Sequence, residues 1–334
     1  MSRNGAILVV GPSWVGDMVL AQPLFKWLRQ EEPEVAIDVL APLWSLPLLT
    51  RMEEVRQGIP MPVGHKELGL ASRFRLGRTL RGAYRQAIVL PNSLKSALLP
   101  FFAAIPKRTG FLGELRWGLL NDIRPLDKQR LPRTVDRFVA LGQSIDSRLP
   151  DPLPLPHLMA SPPAGLALLR HFGLASDHAP LLALCPGAEY GPAKRWPVDS
   201  FAALARAKAL EGWNVVVLGS GREHALGEGI VAPIAPLGIN LTGRISLEQA
   251  VDVLAASTAV VTNDSGLMHV AAALNLPGVA IFGSSDPKHT PPLGGRLQVL
   301  SLGLECAPCF QRECPKGHCD CLRGITPERV REAL

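Results

Sequence analysis

The sequence predicts an α/β protein built as two doubly wound domains facing a cleft. Three observations predict it. Short apolar, β-branched runs alternate with helix-like stripes, a proline-rich segment interrupts the alternation once, and the alternation then restarts. At 334 residues the chain is too long for one ordinary core. Its 47% hydrophobic and 19% charged residues describe a globular chain rather than a disordered one.

Taken in order, Ile7 to Val10 is the first strand-like run. From Met18 to Gln30, the residues Val19, Leu20, Leu24, Trp27 and Leu28 fall on one helical stripe. Ala36 to Leu40 and Ala87 to Leu90 read as the next strands. Residues 150 to 163 hold six prolines without periodicity and read as a linker, so the expected domains are 1–155 and 156–334. Beyond it Leu181 to Leu184, Val215 to Leu218, Ala259 to Thr262 and Val279 to Phe282 look like buried parallel strands. Helices are expected between them at Pro197 to Glu211, Ser246 to Ala256 and Leu267 to Asn275.

Charge is divided unevenly. Residues 1 to 150 carry 21 Lys+Arg against 13 Asp+Glu, and residues 151 to 334 carry 14 against 16. The excess concentrates between Lys66 and Arg137, where 15 basic residues face five acidic ones, among them Arg73, Arg75, Arg78, Arg81 and Arg85. Such a run is either a solvated face or an electrostatic landing site for an acidic partner. Nucleic acid fits poorly as that partner, because aromatics total only 18 and no nucleic-acid motif accompanies them. The amino terminus does not read as a secretory signal, and the uncharged stretch Val270 to Ser285 is broken by Pro277 and Gly278. A cytoplasmic protein without a membrane span is expected.

Cys185 lies in an apolar run and reads as a buried thiol, whereas Cys306, Cys309, Cys314, Cys319 and Cys321 fall within 16 residues. In a cytoplasmic protein that cluster is either a structural zinc site, with His318 as a further ligand, or a compact loop of reduced thiols. The spacing C-x2-C-x4-C-x6-C of Cys306, Cys309, Cys314 and Cys321 is not a standard finger pattern, which favours reduced thiols and no required cofactor.

In open α/β sheets ligands bind at the carboxyl ends of the strands, so the post-strand loops carry the candidate residues. The first loop, GPSWVGD, has Gly11 and Gly16 at the spacing of a phosphate-binding loop, yet Asp17 stands where that loop places lysine. A carboxylate there repels phosphate. The second, CPGAEYGPAKRWP, offers Lys194, either solvated or placed to neutralise a diphosphate. The third, GSGREH, contains Glu223. In the fourth, Asn263-Asp264-Ser265-Gly266 ends a strand and opens a helix, which suits an anion and equally suits an ordinary N-cap. His269, one turn on, could reach the same anion or simply pack.

Together these loops resemble a family. G-D-x-x-x-A-x-P (Gly16-Asp17, Ala21, Pro23), K-R-W-P (Lys194 to Pro197) and N-D-S-G-L-M-H (Asn263 to His269) occur in this order in the ADP-heptose-dependent heptosyltransferases of lipopolysaccharide core synthesis, glycosyltransferase family 9. The resemblance covers nearly the whole chain, and the tail CAPCFQRECPKGHCDCL is most similar to that of members adding the second inner-core heptose. It implies a GT-B fold, with the acceptor held by the first domain and ADP-heptose by the second. It implies Asp17 as general base in an inverting transfer, with Gly16 beside it allowing close backbone approach. Lys194, Ser265 and Gly266 would stabilise departing ADP, Asp264 and His269 would contact the donor, and Glu223 would meet the ribose. A lipid A-linked acceptor at the inner face of the cytoplasmic membrane is the implied partner, reached through the basic segment. No D-x-D occurs, so no catalytic metal is expected. A dinucleotide oxidoreductase is disfavoured because G-P-S-W-V-G lacks the G-x-G-x-x-G pattern. A nucleotide-sugar epimerase of the same architecture, a non-catalytic binding module, and family members adding the first or a later heptose are the competing readings.

Overall fold

The computed structural model describes residues 5–64, 67–145, 147–174, 176 and 178–334. Lys66, the first residue of the basic segment, lies outside the described residues. The chain divides into two compact units, Met1–Pro156 and His157–Leu334.

In the first unit six parallel strands, β1 (Ile7–Val10), β2 (Ile37–Ala41), β3 (Val55–Pro60), β4 (Gln86–Val89), β5 (Lys107–Phe111) and β6 (Asp122–Arg124), lie in the order β3-β2-β1-β4-β5-β6. The second unit repeats the topology. Its strands β7 (Leu181–Cys185), β8 (Asn214–Val217), β9 (Gly238–Asn240), β10 (Ala259–Asn263), β11 (Gly278–Ile281) and β12 (Leu297–Leu300) lie in the order β12-β11-β10-β7-β8-β9, again all parallel. The doubly wound α/β class read from the sequence is therefore observed. Each sheet reverses direction of winding once, between β1 and β4 in the first unit and between β7 and β10 in the second. Those switch points open a crevice at the strand carboxyl ends.

Central strands are apolar because helices cover both sheet faces. Leu8, Val10, Leu40, Ala87 and Val89 join one core, and Leu182, Leu184, Val215, Val217, Val261 and Ile281 the other. One buried acid interrupts the first core. Asp38 on β2 is fully buried, yet it accepts from Arg56 Nε at 2.8 Å, Gln57 Nε2 at 2.8 Å and Tyr84 Oη at 2.7 Å, so its lone pairs are satisfied.

The basic segment is not one face. Arg73 is buried, donating from Nε to the Leu68 carbonyl at 2.7 Å, and Arg116 is buried as a tie between loops. Arg85 pairs with Glu32. Arg75, Arg78 and Arg81 remain exposed. The pattern of basic residues in sequence overstated the exposed charge, because the guanidiniums of Arg73 and Arg116 are held inside by backbone carbonyls. Among the described residues no helix is long and apolar enough to cross a membrane.

Candidate functional site

In the first unit the β1 run ends at Gly11, and the helix Val15–Glu31 begins four residues later with Asp17 in its first turn. Asp17 is half-buried. A Cβ at Gly11 would lie 2.7 Å from Met18 Cε and 3.3 Å from the Leu40 carbonyl, so this glycine lets the helix close on β1 and β2. Trp14 at the N-cap supplies no side-chain capping bond, and a carboxylate in the first turn interacts favourably with the helix dipole. Trp44 Nε1 ties the loop after β2 to this one by donating to Ser13 O at 3.2 Å. Across the switch point Arg116 organises the loops after β4 and β5. It donates to Pro91 O at 2.7 Å and to Phe111 O, and burial lowers its pKa, with Glu114 opposing.

In the second unit the loops after β7, β8, β10 and β11 converge. Asn263 closes β10 by accepting Trp196 N–H at 2.9 Å and donating to Pro186 O at 2.7 Å, so it fastens both ends of the post-β7 loop. Trp196 anchors that loop's exit, fully buried, with Nε1 donating to Ile325 O at 2.8 Å. Lys194, in the short turn Pro192–Lys194, is thereby carried to Asp264: Nζ lies 2.5 Å from Oδ2 and 5.0 Å from the Tyr190 ring centroid. Asp264, 6% exposed, also accepts the Ser285 hydroxyl from the loop after β11.

Ser265 occupies the N-cap of the helix Gly266–Ala273 but makes no side-chain capping bond. Its hydroxyl lies 3.4 Å from Thr262 Oγ1 instead. His269 on the same helix is 5% exposed, and its Nδ1 is buried with no hydrogen-bond partner among the described residues. Burial pushes its pKa down to about 4, with Asp264 opposing and Lys194 adding, so the ring is neutral at physiological pH. A buried neutral imidazole with an unsatisfied nitrogen beside a lysine–carboxylate pair is an exception to the rule that buried polar groups are hydrogen-bonded.

Glu223 is wedged between two loops. A Cβ at Gly187 would stand 3.1 Å from its carboxyl carbon and one at Gly219 3.3 Å from its Cβ. Its Oε2 accepts from Ser220 N at 2.9 Å and Oγ at 2.6 Å in a capping box, and Arg195 approaches Oε1 at 3.8 Å. The carboxylate thus shapes the loop after β8. Sequence reasoning missed Ser285, Tyr190 and Arg195. The first lies 21 residues from Asp264, and nothing in its local sequence marks it. Arg195, by contrast, sits in the K-R-W-P stretch already singled out.

Cys185 is a buried thiol as expected, its pKa pushed up to about 12 by burial. The other five cysteines and His318 line one small cavity with Ala193 and Ser284. Among the described residues no three His, Cys, Asp or Glu side chains are arranged to hold a metal ion.

Comparison with known proteins places this geometry in a family. Residues 73–319 match the model of glycosyltransferase family 9 (heptosyltransferase). Lipopolysaccharide heptosyltransferase 2 of Escherichia coli is 47% identical over 98% of this chain and 97% of its own length. The protein of that name from Salmonella typhimurium is 48% identical over the same shares. Among solved structures, E. coli ADP-heptose lps heptosyltransferase II superposes with a TM-score of 0.88 at 46% identity, covering 98% of this chain and 97% of that one.

Proposed function

Because the chain belongs to glycosyltransferase family 9, the heptosyltransferases, we propose that it transfers heptose from ADP-heptose onto the first heptose of a lipid A-linked lipopolysaccharide inner core, with inversion at the anomeric carbon. The single observation that carries the donor half is the cluster of Lys194, Asp264 and Ser285 at a helix start, with the orphaned His269 nitrogen beside it. In this reading Lys194 and the backbone amides at Ser265 and Gly266 meet the diphosphate. They stabilise the negative charge that grows on ADP as the glycosidic bond breaks. Asp264 holds Lys194 in place and contacts the donor, His269 gives its Nδ1 to the same ligand, and Glu223 fixes the loop that receives the ribose.

The acceptor half rests on Asp17. Its carboxylate takes the proton from the acceptor hydroxyl as that oxygen attacks the anomeric carbon from the face opposite ADP, with Gly16 keeping the backbone clear. This role accounts for an acid where a phosphate loop carries lysine: the loop handles a hydroxyl and not a phosphate. Lysine and amide dipoles supply the charge stabilisation that a D-x-D-held cation supplies elsewhere, so the reading requires no cofactor. The exposed Arg75, Arg78 and Arg81 attract the anionic membrane surface that carries the acceptor.

The test is product analysis with ADP-heptose and lipid A–Kdo acceptors bearing no, one or two heptoses. Transfer is expected onto the one-heptose acceptor, with the opposite anomeric configuration in the product. Transfer onto the heptose-free acceptor would reassign the chain to first-heptose addition, and retention of configuration would refute the single displacement.

A further inference from the structure

The loop of residues 306–321 does more than end the chain's second sheet. Its backbone grips the loop that carries Lys194: Ala193 N–H donates to Arg312 O at 3.0 Å and Tyr190 Oη to Phe310 O at 2.6 Å. A Cβ at Gly191 would stand 2.4 Å from Arg312 O, so the two backbones touch. The same loop holds the segment after β11, since Phe310 N–H donates to Ser284 O at 2.7 Å, and Ser284 N–H donates to Ala193 O at 3.3 Å. Ala193 and Ser284 wall the cavity lined by the five cysteines. Their sequence neighbours, Lys194 and Ser285, are the two side chains that hold Asp264. The thiol cavity is therefore one residue away from both partners of the central carboxylate.

Within the cavity Cys314 and Cys319 are set apart. Gly317 at φ +74° and Cys319 at φ +56° fold the stretch Cys314-Pro315-Lys316-Gly317-His318-Cys319 back on itself. Gly317 N–H donates to the Cys314 carbonyl at 3.0 Å inside this turn, and Cys314 and Cys319, at its two ends, both line the small cavity. Both residues are partly exposed and neither is in a disulfide. We propose that Cys314 and Cys319 are a thiol–disulfide exchange site, and that its redox state sets the position of the Lys194 loop and hence the affinity for the nucleotide diphosphate. The second half rests on the donor-site reading above.

Hydrogen bonding, chiefly from the Cys319 backbone, holds the Cys314 pKa below the ordinary thiol value, and burial raises that of Cys319. These are the properties of an attacking and a resolving sulfur. The oxidant is a small disulfide of the glutathione class. The Cys314 thiolate attacks one of its sulfurs, forming a mixed disulfide and expelling a thiolate. The Cys319 sulfur then attacks Cys314 as its proton passes to a departing thiolate. One protein disulfide forms, and the oxidant leaves as two reduced thiols.

The full-length protein, equilibrated in glutathione buffers of graded ratio, tests this by intact mass, peptide mapping, ADP calorimetry and hydrogen exchange of the Tyr190–Lys194 amides. A mass lower by two hydrogens is expected, mapping to Cys314–Cys319. ADP affinity should change within the usual range of coupled sites, about 5- to 150-fold, and return on adding dithiothreitol. Cys319→Ser should stop at the glutathione adduct on Cys314, and Cys314→Ser should keep the reduced protein's ADP affinity and lose the response. A bond mapped to another pair, unchanged exchange of the Tyr190–Lys194 amides on oxidation, or a thiolate-bound metal that blocks oxidation would overturn the proposal. Reduced protein that binds no ADP refutes the donor-site reading instead, and the disulfide map and amide exchange still judge the redox site.

Discussion

Replacing Lys194 by alanine separates the pairing with Asp264 that the structure shows from the diphosphate contact proposed for the same side chain. Its Nζ lies 2.5 Å from Asp264 Oδ2, with the lysine side chain 17% exposed and the aspartate 6%. Breaking a buried pair costs about 3–5 kcal/mol because a charge is left uncompensated. The partial exposure of Lys194 and the surviving Ser285 hydroxyl reduce this, so a loss of roughly 2–3 kcal/mol in unfolding free energy is expected. Separately, a charge-assisted hydrogen bond to phosphate contributes about 1.5–3 kcal/mol, so ADP affinity should fall roughly 10- to 150-fold. Denaturant melts read the first quantity and calorimetry with ADP the second. Adding Asp264→Asn to Lys194→Ala removes the stranded charge; stability should largely return while ADP affinity stays at least about tenfold weaker. If Lys194→Ala destabilises the fold yet binds ADP within twofold of the parent, the lysine is a structural counter-ion and the anion-site argument fails.

Asp17→Asn, isosteric but not basic, should leave ADP affinity unchanged and slow single-turnover transfer by about 10²- to 10⁴-fold; transfer near the parent rate removes the general-base role. His269 titrates near pH 4 when folded and near 6.5 when unfolded, so the unfolded chain binds the extra proton first as pH falls. Stability should therefore decline from about pH 6.5 towards pH 4, by an amount approaching about 3 kcal/mol. The decline should be missing from the His269→Gln variant and so appear in full in the parent-minus-variant difference, and equal slopes in the two proteins would contradict the buried neutral ring. Arg78, stacked 5.9 Å over Phe74, and Arg81, bonded to Phe102 O, are exposed, and reversing both to glutamate should raise the apparent acceptor KM and weaken binding to anionic vesicles without changing ADP affinity. Salt-insensitive, unchanged vesicle binding would make them an ordinary solvated face.

The sequence by itself determined the class of fold because central strands buried on both faces must be apolar. β1, β2, β4, β7, β8, β10 and β11 are all legible as such runs. It did not reveal β3, Val-Arg-Gln-Gly-Ile-Pro, whose edge position leaves its side chains half in water, nor β5, which opens with Lys107 and Arg108 inside the basic segment. β6 and β9 are three residues each, too short to carry a pattern. The candidate residues were legible as polar groups directly after apolar strands, which is where the backbone leaves the sheet. Their partners were not, because pairing is a matter of distance through space. Only the tertiary structure set Ser285 beside Asp264, turned Glu223 into a loop brace, buried Arg73 and Arg116 against carbonyls, and backed the Lys194 loop onto five thiols. Periodicity records which side of a strand or helix meets the core. It carries no information on which loops meet one another, because that depends on strand order, and strand order is decided by how the helices pack across the sheet.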